Sequence, residues 1–342
     1  MTEKHLLNDL LEKVLNERKG SFVTLSTYVW ELKISKKIMD YFVDKYIEDV
    51  GVDELYEFFN IVRFKDNGQL LSSKYIKSMR TLLRATYKKA LFSDYINYNP
   101  FDYDFKLPKA RAAIATDRII SDDDLEKLLV ACKSNDRFGI IIPILLLTGM
   151  RIGELLGLYW SDIDYERNII YIKRAAVRNY IEKSDGKIVR VDDMIGDTKT
   201  RCSVRELPVI NQQVIDLLLE WKDHINSYPK LAEKIIENKN ENLIFVNYQG
   251  RVMNYNTLYK ELQDFLKKNN LEHCGILFHK LRHCYATSMV DCGIDINIIS
   301  KLLGHKNITT TAMTYAKVRL EPKIKAVQVH EQYIHKTLKA LK

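Results

Sequence analysis

A chain of 342 residues is too long for one compact helical unit and suits about two domains of ~150 residues, each large enough for its own core. Its 53 Lys and Arg against 45 Asp and Glu leave a formal net charge of +8, which points to a polyanion as partner and not to a membrane. The longest apolar stretch, 140–147, carries Pro143 and falls far short of the roughly 20 residues that span a bilayer. The opening MTEKHLLNDLLEKVLNERK lacks the apolar core and small-residue cleavage site of a secretory leader, so a cytoplasmic protein is expected.

In chain order, residues 1–19 place Leu6, Leu7, Leu10, Leu11, Val14 and Leu15 on one helical face and predict a docking helix over 1–20. Further helical patterns run from Thr24 to about Asn60, with a break at Gly51. The most regular helix of this part is LSSKYIKSMRTLLRATYKKALFSDYI at 71–96. At about 100° per residue, Lys74, Lys77, Arg80, Arg84 and Lys88 share one arc of about 120°, with Met79, Leu82, Leu83 and Ala90 opposite. Such a face is often only solvated. Here no Asp or Glu occurs between Lys74 and Lys89 to form intrahelical ion pairs, so these five residues are candidate DNA-phosphate contacts.

Asn99-Pro100 closes a helical domain over 21–107, and residues 108–120 read as an extended, basic linker. A second domain, 121–320, opens at Ser121, where SDDDLEKLL has the form of a capping box with acids in the first turn. Its predicted helices are 122–133, 138–147, 151–157, 211–226, 256–269, 280–292 and 295–303. NIIYIKRAAV, GKIVRVDDMI and SVRELPVI have the β-branched alternation of short strands, with DG and QG turn signals nearby. The expected class is therefore mainly α (α+β), with one small antiparallel sheet. Beyond Pro322, an amphipathic segment over 321–342 needs a surface to cover.

The chemistry concentrates between 279 and 315, where HKLRH, LGH and TTTAMTY follow one another. A phosphodiester under attack gains negative charge, and fixed cationic hydrogen-bond donors such as His279, Arg282 and His305 neutralise it without a metal. A tyrosine hydroxyl such as that of Tyr315 can serve as nucleophile, its phosphodiester conserving the energy of the broken bond. A second arginine, Arg151, stands in TGMRIGELLGLYWSDID, where Glu154 offers a local partner that would orient it. Other readings stand beside these. His279 and His283, four apart on a helix, could pair on a metal, although Lys280 stands where a zinc protease needs Glu. His283 otherwise reads as a core or supporting histidine. His305 could cap a helix C-terminus, and Tyr285 reads as core. The five cysteines, Cys132, Cys202, Cys274, Cys284 and Cys292, form no C-x-x-C pair and read as scattered thiols.

The blocks TGMRIGELLGLYWSDID, TKTRCSVRELPV, HKLRHCYATSMV and LGHKNITTTAMTYAKV resemble, in order, the signature blocks of the tyrosine recombinases, the phage integrase family. The resemblance covers the whole second domain. It implies that Arg151 and Arg282 grip the non-bridging oxygens of the scissile phosphate, a task suited to the forked, permanently charged guanidinium. It implies that Lys199, in TKT, protonates the departing 5′ oxygen, although Lys173, Lys187 and Arg201 sit nearby as rivals. Among 20 tyrosines, Tyr315 lies ten residues after His305, which fits the nine- and ten-residue spacings of the family it resembles.

The implied reaction is cutting and rejoining of double-stranded DNA through a 3′-phosphotyrosine, with neither metal nor other cofactor. The two domains would clamp the duplex and a tetramer would form at synapsis. The C-terminal helix would dock on a neighbouring subunit, and an accessory directionality or DNA-bending protein could take part. A mobile-element integrase is the first expectation; an Xer-type chromosome-dimer-resolving recombinase, a type IB topoisomerase and a binding-only DNA protein are the alternatives.

Overall fold

The computed structural model describes residues 4–19, 23–65, 67–102, 105–108, 120–133, 137–197, 204–209, 212–305 and 307–309, without the side chains of 178, 179, 192, 193 and 197. Lys199, Tyr315, most of the linker and the C-terminal segment lie outside the described residues. Two compact units divide the chain, Met1–Arg118 with Asn179–Arg190, and Ile119–Arg178 with Val191–Lys342.

The first unit is helical: α1 (Leu7–Arg18), α2 (Leu25–Tyr41), α3 (Val52–Val62) and α4 (Ser73–Phe92), followed by a 3-10 turn at Pro100–Asp102. Thr24 and Ser72 start α2 and α4 by accepting hydrogen bonds from Thr27 N and Tyr75 N, so two otherwise orphaned amides are satisfied. The apolar face of α1 finds its cover within this unit. Leu7, Leu10, Leu11, Val14 and Leu15 are all buried in one cluster with Ile34 and Ile38 of α2, Phe58 and Phe59 of α3, and Met79 and Leu83 of α4. Arg18 fixes the same helix to α2 through a two-pronged bond to Glu31 (2.6 and 2.9 Å).

On α4 the arc of basic residues faces outward. Lys74, Lys77, Arg84 and Lys88 are exposed and Arg80 is half-buried, while Met79, Leu82, Leu83 and Ala90 are buried. The missing intrahelical acids do not leave Arg84 unpaired, because Asp102 reaches it from the 3-10 turn at 2.7 Å. A pattern confined to one helix could not show that partner.

The second unit contains α5 (Asp122–Cys132), α6 (Phe138–Thr148), α7 (Ile152–Leu156), α8 (Gln212–Asn226), α9 (Pro229–Glu237), α10 (Tyr255–Lys268), α11 (Phe278–Asp291) and α12 (Ile296–Leu303). Ser121 caps α5, accepting from Asp124 N at 3.1 Å. Helix α9, which opens on Pro229, is absent from the sequence reading. At the first helical position the missing N–H of proline is not needed. No helix among the described residues is long and apolar enough to cross a membrane.

Two small sheets replace the single one expected. Strands β1 (Ile163–Asp164), β2 (Ile169–Ile172) and β5 (Arg205–Pro208) form one in the order β1-β2-β5, and β3 (Arg174–Glu182) pairs with β4 (Ile188–Asp197) in the other. The run NIIYIKRAAV is therefore two strands that part at Lys173. The antiparallel β2–β5 register sets Ile170 opposite Leu207 and Ile172 opposite Arg205, so Arg205 shares the inward face with a buried leucine.

Helix α6 is the hub of this unit, with Ile141, Ile142, Ile144 and Leu145 inaccessible to solvent and α11 packed along it. Two glycines, at the ends of α6 and α7, allow close approach of neighbouring segments. Gly149 caps α6 at φ 63°, and a Cβ there would lie 2.3 Å from the Tyr285 ring. A Cβ on Gly157 would fall 2.7 Å from the backbone N of Ala176. Gly149→Ala is expected to cost about 1–3 kcal/mol through strain and overpacking, read as a lower midpoint in urea denaturation. An unchanged midpoint would mean that Tyr285 moves aside freely.

Candidate active site

Three segments converge at the C-terminal end of α12. The last carbonyls of a helix have no partner within it and carry partial negative charge, so cationic donors are favoured there. Three arginines fill this role on successive residues. Arg205 Nε donates to Leu302 O at 2.6 Å, Arg282 Nη2 donates to Leu303 O, and Arg151 Nη2 donates to Gly304 O at 3.2 Å. They come from β5, α11 and the α6–α7 connection, residues distant in sequence that a short helix end collects into one place.

Arg151 is the N-cap of α7 in extended conformation, rather than its first helical residue as the periodicity suggests. Its backbone N–H donates to Glu154 Oε2 (2.9 Å) and its Nη1 to Glu154 Oε1 (2.6 Å). Arg205 grips the same carboxylate with both terminal nitrogens, at 3.0 and 2.8 Å. Glu154 is 3% exposed. Burial pushes its carboxyl up, but the hydrogen bonds and charge of Arg205, with the charge of Arg151, outweigh this and hold it below the ordinary carboxylate range.

The two phosphate-binding candidates differ in exposure. The Arg151 side chain is 38% exposed. Arg282 is 2% exposed, and its Nη1 also donates to Gly149 O at 2.9 Å. It thereby ties the left-handed turn after α6 to the end of α12. His279 lies in the first turn of α11, with its ring 4.6 Å from that of His283 and edge-on to it. His305 directly follows the left-handed cap Gly304, and its N–H donates to Ser300 O at 3.0 Å. Its backbone thus closes the helix while its half-buried ring remains in the site.

Both imidazoles are pushed down to about 4. For His305 the causes are desolvation, then Arg282 and Arg151, then the other two histidines. For His279 they are desolvation, then His283, Arg282 and Arg151; its exposed edge lets water temper the first of these. Beyond desolvation, both rings sense the positive charge of Arg282 and Arg151, which suits an anion.

Between about pH 4 and 6.5 the unfolded chain binds more protons at these histidines than the folded one, so their linkage lowers stability as pH falls through that window. A phosphate in the site would reverse the field and raise both values. DNA binding near about pH 6 is therefore expected to take up protons, measured by calorimetry in two buffers of different ionisation enthalpy. Zero uptake would show that neither histidine becomes charged on binding DNA.

Of the residues picked out from sequence, the structure brings together Arg151, Glu154, His279, Arg282, His283 and His305, whereas Lys199 and Tyr315 lie outside the described residues. Arg205 was missed. Its signal was present in SVRELP, where a charge shares the inward face with Leu207 and so requires a buried partner.

Comparisons with known proteins identify the family and the fold. A family model described as "Phage integrase family" matches residues 118–321. Over 266 residues the chain is 29% identical to a protein described as "Tyrosine recombinase XerC-like" from Caldanaerobacter subterraneus, with 75% of this chain and 66% of that protein covered. It is 25% identical over 284 residues to the ICEBs1 integrase of Bacillus subtilis, covering 82% and 71%. With the transposase from transposon Tn916 of Enterococcus faecalis it shares 24% identity over 271 residues, covering 75% and 60%. The chain thus spans less than two thirds of the length of the first and last of these relatives. Among solved structures, the Tn1549 transposon integrase in complex with a circular intermediate DNA has the same fold, with a TM-score of 0.70 at 22% identity, 94% of this chain and 98% of that one being covered.

Proposed function

The chain belongs to the phage integrase family, and we propose that it is a site-specific DNA recombinase that integrates or excises a mobile element. The observation that carries this reading is the arginine cluster on the end of α12, which holds an exposed guanidinium and two neutral imidazoles in one positive field.

In this reading Arg151 and Arg282 bind the non-bridging oxygens of the scissile phosphate, with His279 and His305 as further donors. Glu154 and Arg205 position Arg151, and His283 supports His279. Tyr315 attacks phosphorus in line, releasing its phenolic proton to solvent and forming a 3′-phosphotyrosyl bond, and the 5′ oxygen departs with a proton from Lys199. The 5′ hydroxyl of a partner duplex then reverses the step on a new strand, returning the tyrosine hydroxyl. The exposed cations on α4, Lys74, Lys77 and Lys88, with Arg80 and Arg84, contact the DNA backbone nonspecifically.

Pairing two DNA sites, each with two subunits, requires a tetramer, with a directionality or DNA-bending protein as accessory and the cytoplasm as setting. The Bacillus and Enterococcus relatives, both named for mobile elements, support the element-borne reading. A chromosome-dimer-resolving recombinase is the second reading, favoured by the XerC-like relative. The test is a suicide duplex, nicked so that the freed strand diffuses away, incubated with the full chain and a metal chelator. A covalent protein–DNA adduct on the element's own ends is expected. Adduct only on a chromosomal resolution site would favour the second reading, and metal-dependent cutting without adduct would sink both.

A further inference from the structure

We propose that Asp124, His273 and Cys274 form a binding site for one zinc-like divalent cation, which clips the start of α5 to the turn leading into α11. The residues belong to one unit but to two separate segments. Asp124 stands in the first turn of α5, while His273 and Cys274 lie in a 3-10 turn at Glu272–Cys274.

The spacing is that of a coordination shell. Cys274 Sγ lies 3.3 Å from His273 Nε2, and His273 Nε2 lies 3.5 Å from Asp124 Oδ1. All three ligand atoms fall within 4.8 Å of one another. A tetrahedral ion with bonds of about 2.3 Å to sulfur and about 2.0–2.1 Å to nitrogen and oxygen places neighbouring ligands roughly 3.3–3.6 Å apart. The side chains thus already stand near the edges of such a tetrahedron, with water as the fourth ligand.

The donor set decides the class of metal. A thiolate, an imidazole and a carboxylate favour zinc-like ions over Mg²⁺ or Ca²⁺, which take oxygen ligands. In the metal-free protein the Cys274 thiol stands beside the Asp124 carboxylate, their ligand atoms within 4.8 Å of each other. Binding exchanges that thiol proton, released to the buffer, for the cation, with no redox step.

The surroundings hold the ligands in place. Ser121 Oγ accepts from Asp124 N at 3.1 Å, and Lys280 Nζ donates to Cys274 O at 3.1 Å, linking the turn to α11. Lys127 pairs with Asp123 at 2.6 Å, and its charge opposes a cation nearby, tempering the affinity. The His279–His283 pair offers no thiolate and lies in the field of Arg151 and Arg282.

The full chain titrated with Co²⁺ is expected to develop a thiolate-to-cobalt charge-transfer band together with tetrahedral d–d bands, saturating at one equivalent and displaced by Zn²⁺. Cys274→Ser should lose the charge-transfer band. His273→Asn and Asp124→Asn should weaken binding at least about tenfold, the loss caused by removing even an outer-shell partner. Cys292→Ser should change nothing. Zn²⁺ should raise the melting temperature of the wild type and not of Asp124→Asn, a readout that survives if Cys274→Ser fails to fold. Three results would overturn the site: no Co²⁺ binding below millimolar, d–d bands without thiolate character, or a band that persists in Cys274→Ser.

Discussion

Tyr315→Phe is expected to bind DNA with unchanged affinity and to form no covalent adduct. The substitution removes one oxygen, so phosphate contacts through the arginines and histidines persist while the phosphotyrosyl bond cannot form. The fold removes leading competitors among the 20 tyrosines. Tyr87 is 1% exposed and its hydroxyl donates to Val50 O at 2.9 Å. Tyr285, close to the site, is half-buried against Gly149, and burial pushes its hydroxyl pKa up, which disfavours a phenolate. Denaturing gels of suicide-substrate reactions decide the matter: adduct with Tyr315→Phe would mean that another tyrosine attacks.

Glu154→Ala should produce the largest loss of stability, about 3–5 kcal/mol, because it leaves Arg205, whose side chain is 6% exposed, without the carboxylate that both its terminal nitrogens bind. Adding Arg205→Met should recover part of this loss, since an apolar side chain of similar length imposes no desolvated charge. Urea denaturation of the two single variants and the double variant measures the coupling; strict additivity would show that the pair is not a unit. Strand cleavage should fall in Glu154→Ala, as Arg151 loses its anchor, and less in Arg205→Met, where Glu154 still holds Arg151. Acid provides a second readout. Glu154 titrates below its unfolded value, so its stabilisation is complete above the unfolded pKa and lost as pH falls through the folded one. Glu154→Gln should lack that part of the acid dependence.

Local patterns in the sequence carried most of the helices. Apolar spacing marked α5, α6, α8, α10 and α12, and Ser121 marked where α5 begins, because periodicity and capping act within a few residues and are written in them. Family blocks brought Arg151, His279, Arg282 and His305 into one hypothesis before any contact was visible. The parting of β2 and β3 at Lys173 was not legible, since both halves alternate alike and only the β2–β5 pairing tells them apart.

By itself, then, the sequence determined which groups of this protein carry charge, and which faces of its helices seek a core. Tertiary structure alone decided how those groups are held. Arg205 on Glu154, Asp102 on Arg84, and three guanidiniums on the carbonyls of Leu302, Leu303 and Gly304 join segments far apart in the chain. A hydrogen bond depends on distance and direction in space, and neither is encoded in the local spacing of residues.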